Sequence, residues 1–277
     1  ARVLDAPVML NAVVGGDFPD DHVETLQMRG VDTDGLVRDE AGETFFWAGR
    51  YGLDLNSRET LATHLNVLAT FEPVIPASYQ DTSILCLGNL DPTVQEKVLD
   101  QVTGPDGNGP SLVVMDTMNY WIESTPEALR STLARVDVLV INDAEARELG
   151  DTSNLVRAAR LIRQMGPQTL VIKKGEHGAL LFDGDKLFSA PALLLPTVVD
   201  PTGAGDTFAG GFMGYMAQTD EITFENMKRA VIFGSALASF CVEKFGIERL
   251  KGLSNMDIIN RVERFVKLVS FDAKLDI

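Results

Sequence analysis

Val198-Val199-Asp200-Pro201-Thr202-Gly203-Ala204-Gly205-Asp206-Thr207-Phe208-Ala209-Gly210-Gly211 decides how this chain reads. The two valines predict the end of a strand, the small residues a turn, and the residues after Gly203 a helix running to about Met216. Gly203 and Gly205 admit backbone angles closed to other residues and leave room for a ligand's close approach. With Ala204 they would present N–H groups at a helix start, where the dipole favours an anion. Asp206 puts a carboxylate beside that cradle, and a base next to an oxyanion site is what a hydroxyl needs to attack a phosphoryl group. The plainer alternative is a glycine-rich turn in which Asp206 only complements the helix N-terminus.

Asp200-Pro201-Thr202-Gly203-Ala204-Gly205-Asp206 resembles the C-terminal signature of the ribokinase-like carbohydrate kinases (PfkB type), a family that includes adenosine kinases. The resemblance implies an α/β fold: a three-layer α/β/α domain with a mostly parallel central sheet and a small β lid. It also implies ATP-dependent phosphorylation of an alcohol, with Asp206 as general base and Gly203, Ala204 and Gly205 as the anion hole.

Composition agrees with an enzyme of this size. The chain has 277 residues, 45% hydrophobic and 23% charged, with a mean hydropathy of +0.06. That is enough for one large α/β domain, expected here to span 1–277. A net charge of −16 disfavours nucleic acid or an anionic membrane as partner, because basic patches hold both. It also means that an anionic nucleotide needs Mg²⁺ and a few locally placed bases. No apolar run reaches the length of a membrane span and no signal peptide opens the chain, so a cytoplasmic protein is expected. Cys86 and Cys241 lie in apolar stretches and read as buried small hydrophobes.

Along the chain, Pro7–Gly15 reads as a buried strand, Asp20–Met28 as a helix and Gly30–Thr33 as a turn. Gly35–Arg38 and Glu43–Ala48 read as strands of a β excursion, set at about 30–52, with Phe45, Phe46, Trp47 and Tyr51 as its aromatics. The resemblance makes this excursion the lid, with Trp47 among the substrate-binding candidates. It also implies an earlier strand carrying a Gly-Gly motif, so the first strand of the domain is expected to be missing. From Ser83 the pattern becomes regular βα alternation, which argues for a parallel sheet with ligands at the carboxyl ends of its strands. Asp116, Asn119, Asn142 and Asp200 are expected there, with Asp116 and Asn119 as further substrate-binding candidates.

Asn142-Asp143-Ala144-Glu145 begins a helix after a strand. It is similar to the family's N-x-x-E element, which implies that Glu145 organises Mg²⁺; a helix cap by Asn142 and Glu145 is the alternative. Thr169–Phe182 reads as strand, tight turn, strand. Gly175 and Gly178 match the family's turn beside the nucleotide, and Lys173 stands where a Thr is common. Lys173 and Lys174 read equally as a solvated pair. In the helix Phe224–Val242, Ser235 falls where the resemblance places an adenine contact, although close helix packing explains the same small residues. Thr202 completes the nucleotide-binding candidates. The Asp200-x-Thr202 and Gly246 loops resemble the K⁺ site of some members.

The expected protein is an ATP- and Mg²⁺-dependent kinase acting on a hydroxymethyl group of a sugar or nucleoside, as a homodimer paired through its lid. The alternative is a non-catalytic ribokinase-like ligand-binding or regulatory protein. No G-x-x-x-x-G-K-[ST] occurs, which excludes a P-loop kinase, and no G-x-G-x-x-G follows an early strand, which excludes a Rossmann dehydrogenase.

Overall fold

The computed structural model describes residues 1–219 and 221–270. After a 3₁₀ turn at Arg2–Leu4, β1 (Val8–Gly15), α1 (Asp20–Met28) and β2 (Val31–Asp39) make a unit whose two strands pair in parallel. β3 (Phe46–Tyr51) and β4 (Arg58–His64) form a separate antiparallel hairpin. Strict alternation then begins with β5 (Ile84–Leu87), α2 (Pro92–Leu99), β6 (Leu112–Met115), α3 (Asn119–Ser124) and α4 (Pro126–Leu133). It continues through β7 (Val138–Asn142), α5 (Asp143–Leu149), α6 (Leu155–Arg163) and β8 (Thr169–Lys173). β9 (Ala179–Asp183) and β10 (Lys186–Ala190) return antiparallel, and α7 (Ala204–Met216), α8 (Phe224–Cys241) and α9 (Asn255–Val269) follow.

The main sheet runs in the order β10-β9-β8-β7-β6-β5, with β5 to β8 parallel. Its strands are short and almost wholly apolar, as expected where both faces are covered. Alternate side chains divide between two cores. Val113, Met115, Leu139, Ile141, Leu170 and Ile172 pack on one face with Leu129 and Leu133 of α4 and Ile162 of α6. Val114, Val138, Val140 and Val171 pack on the other with Phe208 and Phe212 of α7 and Val231 of α8. This is the expected three-layer α/β/α arrangement. The register pairs Asn142 with Lys173 and Leu87 with Met115, so Asp116, Asn142 and Lys173 emerge together at the carboxyl edge.

Several expectations are corrected. Val198-Val199 belongs to no strand: both are exposed, and Val199 N–H donates to Val242 O at 2.8 Å. Pro191, Pro196 and Pro201 flank them, and the missing donors and fixed φ angles of proline prevent a ladder. Asp200 therefore ends a loop, not a strand. The expected turn Gly30–Thr33 is shorter, because Val31 already starts β2. The β excursion expected at about 30–52 is instead the hairpin Phe46–His64, since β2 pairs with β1, which itself stands outside the main sheet and is only partly buried. Cys86 in β5 is exposed, whereas Cys241 is buried. Among the described residues no helix is long and apolar enough to cross a membrane.

Candidate active site

The turn before α7 adopts the conformation its glycines permit. Gly203 caps the helix at φ +77°, a left-handed angle that a side chain would strain. Ala204 N–H donates to Pro201 O at 3.1 Å, and Thr207 N–H makes the first helical bond, to Gly203 O at 2.9 Å. The N–H groups of Gly203, Gly205 and Asp206 take no backbone acceptor among the described residues, as befits a helix N-terminus. Ala204, expected in the anion hole through its N–H, instead spends that group on the turn.

Lys173, at the end of β8, lies directly against this N-terminus: a Cβ on Gly205 would stand 3.0 Å from its Nζ. An ammonium at the positive end of a helix is an unfavourable pairing unless an anion joins it. Asp116 supplies one such anion, with Oδ2 3.7 Å from Lys173 Nζ and both side chains more than four-fifths covered. Burial pushes the Asp116 carboxyl up, Lys173 pulls it back, and the charge of Asp206 pushes it up again. Lys173 is thus no solvated lysine, and the structure brings Asp116, Lys173, Gly205 and Asp206 into one cluster. Asp206 itself is exposed in the first turn of α7.

Asn142 and Glu145 form a complete capping box on α5. Glu145 N–H donates to Asn142 Oδ1 at 2.9 Å, and Asn142 N–H donates to Glu145 Oε2 at 2.8 Å. The cap reading therefore holds for Asn142, whose side chain is committed to it. Glu145 does more, because it is a buried carboxylate at the carboxyl edge beside Asp116 and Lys173. Burial pushes its carboxyl up to about 7 against the pull of the Asn142 N–H and the charges of Lys173 and Arg58. Among the described residues no group of three His, Cys, Asp or Glu side chains forms a metal cage. A lone carboxylate suits a Mg²⁺ that brings its own water and phosphate oxygens.

The remaining expected residues divide. Gly175 and Gly178 bound the β8–β9 turn, and a Cβ on Gly178 would come within 2.0 Å of Ala190 O. Ser235 turns its hydroxyl back to Val231 O at 2.8 Å, while Gly211 and Gly234 let α7 and α8 touch. Gly211 and Gly234 thus serve packing. Asn119 opens α3, three residues past Asp116. Trp121 is buried and donates Nε1–H to Asn89 Oδ1 at 3.1 Å, so it belongs to the core.

The lid reaches the same place. Thr202 Oγ1 donates to Tyr51 OH at 3.2 Å, and Asn56 Nδ2 donates to Glu176 Oε1 at 2.9 Å. Glu176 N–H returns a bond to Asn56 Oδ1 at 3.4 Å, so the tip of the hairpin sits on the Gly175 turn. Trp47 lines the hairpin with its ring against Gly49, and the Arg58 guanidinium lies 5.4 Å from the ring centroid. Sequence reading missed Arg58 because it missed β4. The signal was present in Asp54-Leu55-Asn56-Ser57, a turn-forming run followed by seven residues without Gly or Pro.

Comparison with known proteins agrees with this geometry. The family model for pfkB family carbohydrate kinases matches residues 1–250. A cytidine kinase from Thermococcus kodakarensis is 32% identical over 146 residues, covering 51% of this chain and 50% of its own. The chain spans about half the length of the curated relatives it matches. The crystal structure of Methanocaldococcus jannaschii nucleoside kinase superposes with a TM-score of 0.75 at 20% identity, covering 95% of this chain and 83% of that one. A candidate ribokinase II from E. coli, solved with ATP and Mg²⁺, gives 0.76 at 20% identity, covering 95% and 85%. At such identities the solved structures speak for the fold alone. With the family model spanning nearly the whole described chain, this protein belongs to the pfkB family of carbohydrate kinases.

Proposed function

We propose that the chain is an ATP-dependent kinase that phosphorylates a hydroxymethyl group of a sugar or nucleoside. The observation that carries this reading is Lys173, an ammonium held against the open N-terminus of α7 and paired, among the described residues, with Asp116. A phosphate seated between Lys173 and the N–H groups of Gly203, Gly205 and Asp206 completes that arrangement. Asp206 then takes the proton of the acceptor hydroxyl as its oxygen bonds to the γ-phosphorus. The bond from that phosphorus to the bridging oxygen breaks, and its electron pair leaves on ADP. Glu145 would hold the water shell of a nucleotide-borne Mg²⁺ through the oxygen its cap leaves free. Asp116, Asn119 and Trp47 remain the acceptor-side candidates, and the outer face of the lid is where a homodimer would form.

A sensor without chemistry would gain nothing from a base beside an anion site, so catalysis is the better reading. A panel of nucleosides and pentoses assayed for ADP release with ATP and Mg²⁺ tests it. Release with at least one acceptor is expected, and none from folded protein across the panel overturns it.

A further inference from the structure

Where β5 and β6 end, their last ladder bond runs from Asp116 N–H to Leu87 O at 2.9 Å. A parallel ladder would continue with a bond from Asn89 N–H to Asp116 O. Among the described residues that bond does not form, and Asp91-Pro92 turns the chain from β5 into α2. Gln95, within α2, supplies the missing donor. Its Nε2 donates to Gly88 O at 2.7 Å and to Asp116 O at 3.2 Å, so one carboxamide joins the two strand exits after the ladder has stopped. The amide carries two hydrogens, and each strand exit takes one.

Gln95 is 1% exposed, and its Oε1 has no hydrogen-bond partner among the described residues. A buried acceptor left unpaired is costly, and a methionine would fill the same space without that cost. Packing alone therefore does not account for a glutamine here, whereas its two donors do. What they hold is the backbone of Asp116, whose Oδ2 stands 3.7 Å from Lys173 Nζ. Helix α2 is itself braced from α4, where Thr132 Oγ1 donates to Pro92 O at 3.2 Å, so the amide reaches out from a fixed element. We propose that Gln95 is a positioning residue for phosphoryl transfer: it clamps the exits of β5 and β6 so that Asp116 keeps Lys173 at the N-terminus of α7. The proposal rests on the kinase reading and deepens it, by adding to the cluster a residue that acts through Asp116.

Two measurements on the full chain test it. Gln95→Met keeps the volume and removes both donors. Hydrogen exchange followed by NMR should quicken about tenfold or more at the Asp116 and Thr117 amides, with Val140 and Val171 in the neighbouring strands unchanged. In the kinetics, kcat for ADP release should fall about 10- to 100-fold, as a displacement of about 1 Å does, with the Michaelis constant of the acceptor close to wild type. In an Asp116→Asn background the same substitution should cost little more, since the residue it acts through is already disabled. Val94→Ala, which removes buried packing from the same helix, should lower the urea midpoint and leave kcat near wild type. Unchanged exchange at Asp116 and Thr117 overturns the clamp, whether or not the chain is a kinase. Faster exchange with unchanged kcat, or an equal loss with and without Asp116→Asn, overturns the positioning role while wild-type turnover keeps the kinase reading. A wild-type chain that releases no ADP overturns that reading and the positioning role with it.

Discussion

Two turns meet over the candidate site, and they are held in opposite ways. The Gly203–Asp206 turn leads straight into Phe208 and Phe212, which are 4% and 0% exposed, and α7 is clamped to α8 where Gly211 and Gly234 touch. The lid turn at residues 52–57 is held by polar groups alone. Asp54 Oδ1 accepts from Asn56 N–H, Ser57 N–H and Ser57 Oγ, and the tip adds the Asn56–Glu176 and Tyr51–Thr202 bonds. Burying a large apolar side chain stabilises by about 1.5–3 kcal/mol, whereas a hydrogen bond contributes about 0.5–1.5 net and less when exposed. The first turn is therefore a fixed donor set, and the second is held by contacts that cost little to break. Phosphoryl transfer needs both: preorganised dipoles that cost nothing to align, and a wall that opens for substrate and product.

The sharpest way to break this contrast is at the fixed turn. Asp206→Asn keeps the side-chain volume and leaves every backbone N–H in place. Turnover should fall by about 10²–10⁴-fold, the typical contribution of a positioned base, with affinity for a non-hydrolysable ATP analogue unchanged. Near-normal ADP release from the folded variant would reduce Asp206 to a helix-terminal charge.

Gly211→Ala probes the rigidity itself. The added Cβ would stand 2.8 Å from Gly234 Cα and 3.1 Å from Phe233 O, both backbone atoms that cannot swing away. The two helices must separate, at a cost of about 1–3 kcal/mol, read as a lower midpoint in urea unfolding. An unchanged midpoint would mean that α7 is not braced by α8.

The fixed turn was legible from its residues because every signal is local: a glycine at positive φ, a carboxylate in the first helical turn and an apolar helix behind it. The same holds for the capping box of Asn142 and Glu145 and for the limits of α1. The lid was legible only as an aromatic excursion. Its true strands depend on partners elsewhere in the chain, β2 on β1 and β3 on β4, and Gly30-Val31-Asp32-Thr33 reads as a turn when that pairing is unknown. Val198-Val199 failed in the opposite sense: two β-branched residues suggest a strand, but flanking prolines leave no neighbour to complete it. The Lys173–Asp116 pair joins residues 57 positions apart, and only the register of adjacent parallel strands brings it together.

Glu145 allows a gentler test of how much the fixed region depends on buried charge. Its carboxyl is pushed from an ordinary 4.5 up to about 7, chiefly by burial. The folded chain therefore holds a proton that the unfolded chain has lost between those values, so this residue makes stability fall as pH rises from 4.5 to 7. Glu145→Gln keeps an acceptor for the cap and removes the titration. The wild type should lose about 1–3 kcal/mol more than the variant between pH 5 and pH 8, by urea unfolding at each pH. The variant should also need more Mg²⁺ for half-maximal rate. Parallel pH curves would show that Glu145 is solvated, and an unchanged Mg²⁺ requirement would leave it a cap alone.

The smallest expected effects come from the lid, where the pleat separates two roles carried by neighbouring residues. Trp47 faces inward with Tyr51 and Arg58, while Phe46 points the other way, 52% exposed and edge-on to His64. An apolar ring left in water on the outer face is what a second subunit would cover, and an indole on the inner face is what an acceptor or a guanidinium would rest on. Trp47→Asp should then raise the Michaelis constants a few-fold, since about 1 kcal/mol of ring contact is lost, with little change in mass by light scattering. Phe46→Asp should do the reverse, shifting the chain toward monomer at micromolar concentration with Michaelis constants near wild type. Both variants acting on both readouts would mean that the lid moves as one body and that closure and pairing are the same event. A wild-type chain already monomeric under those conditions would remove the dimer and leave Phe46 an exposed ring on the hairpin.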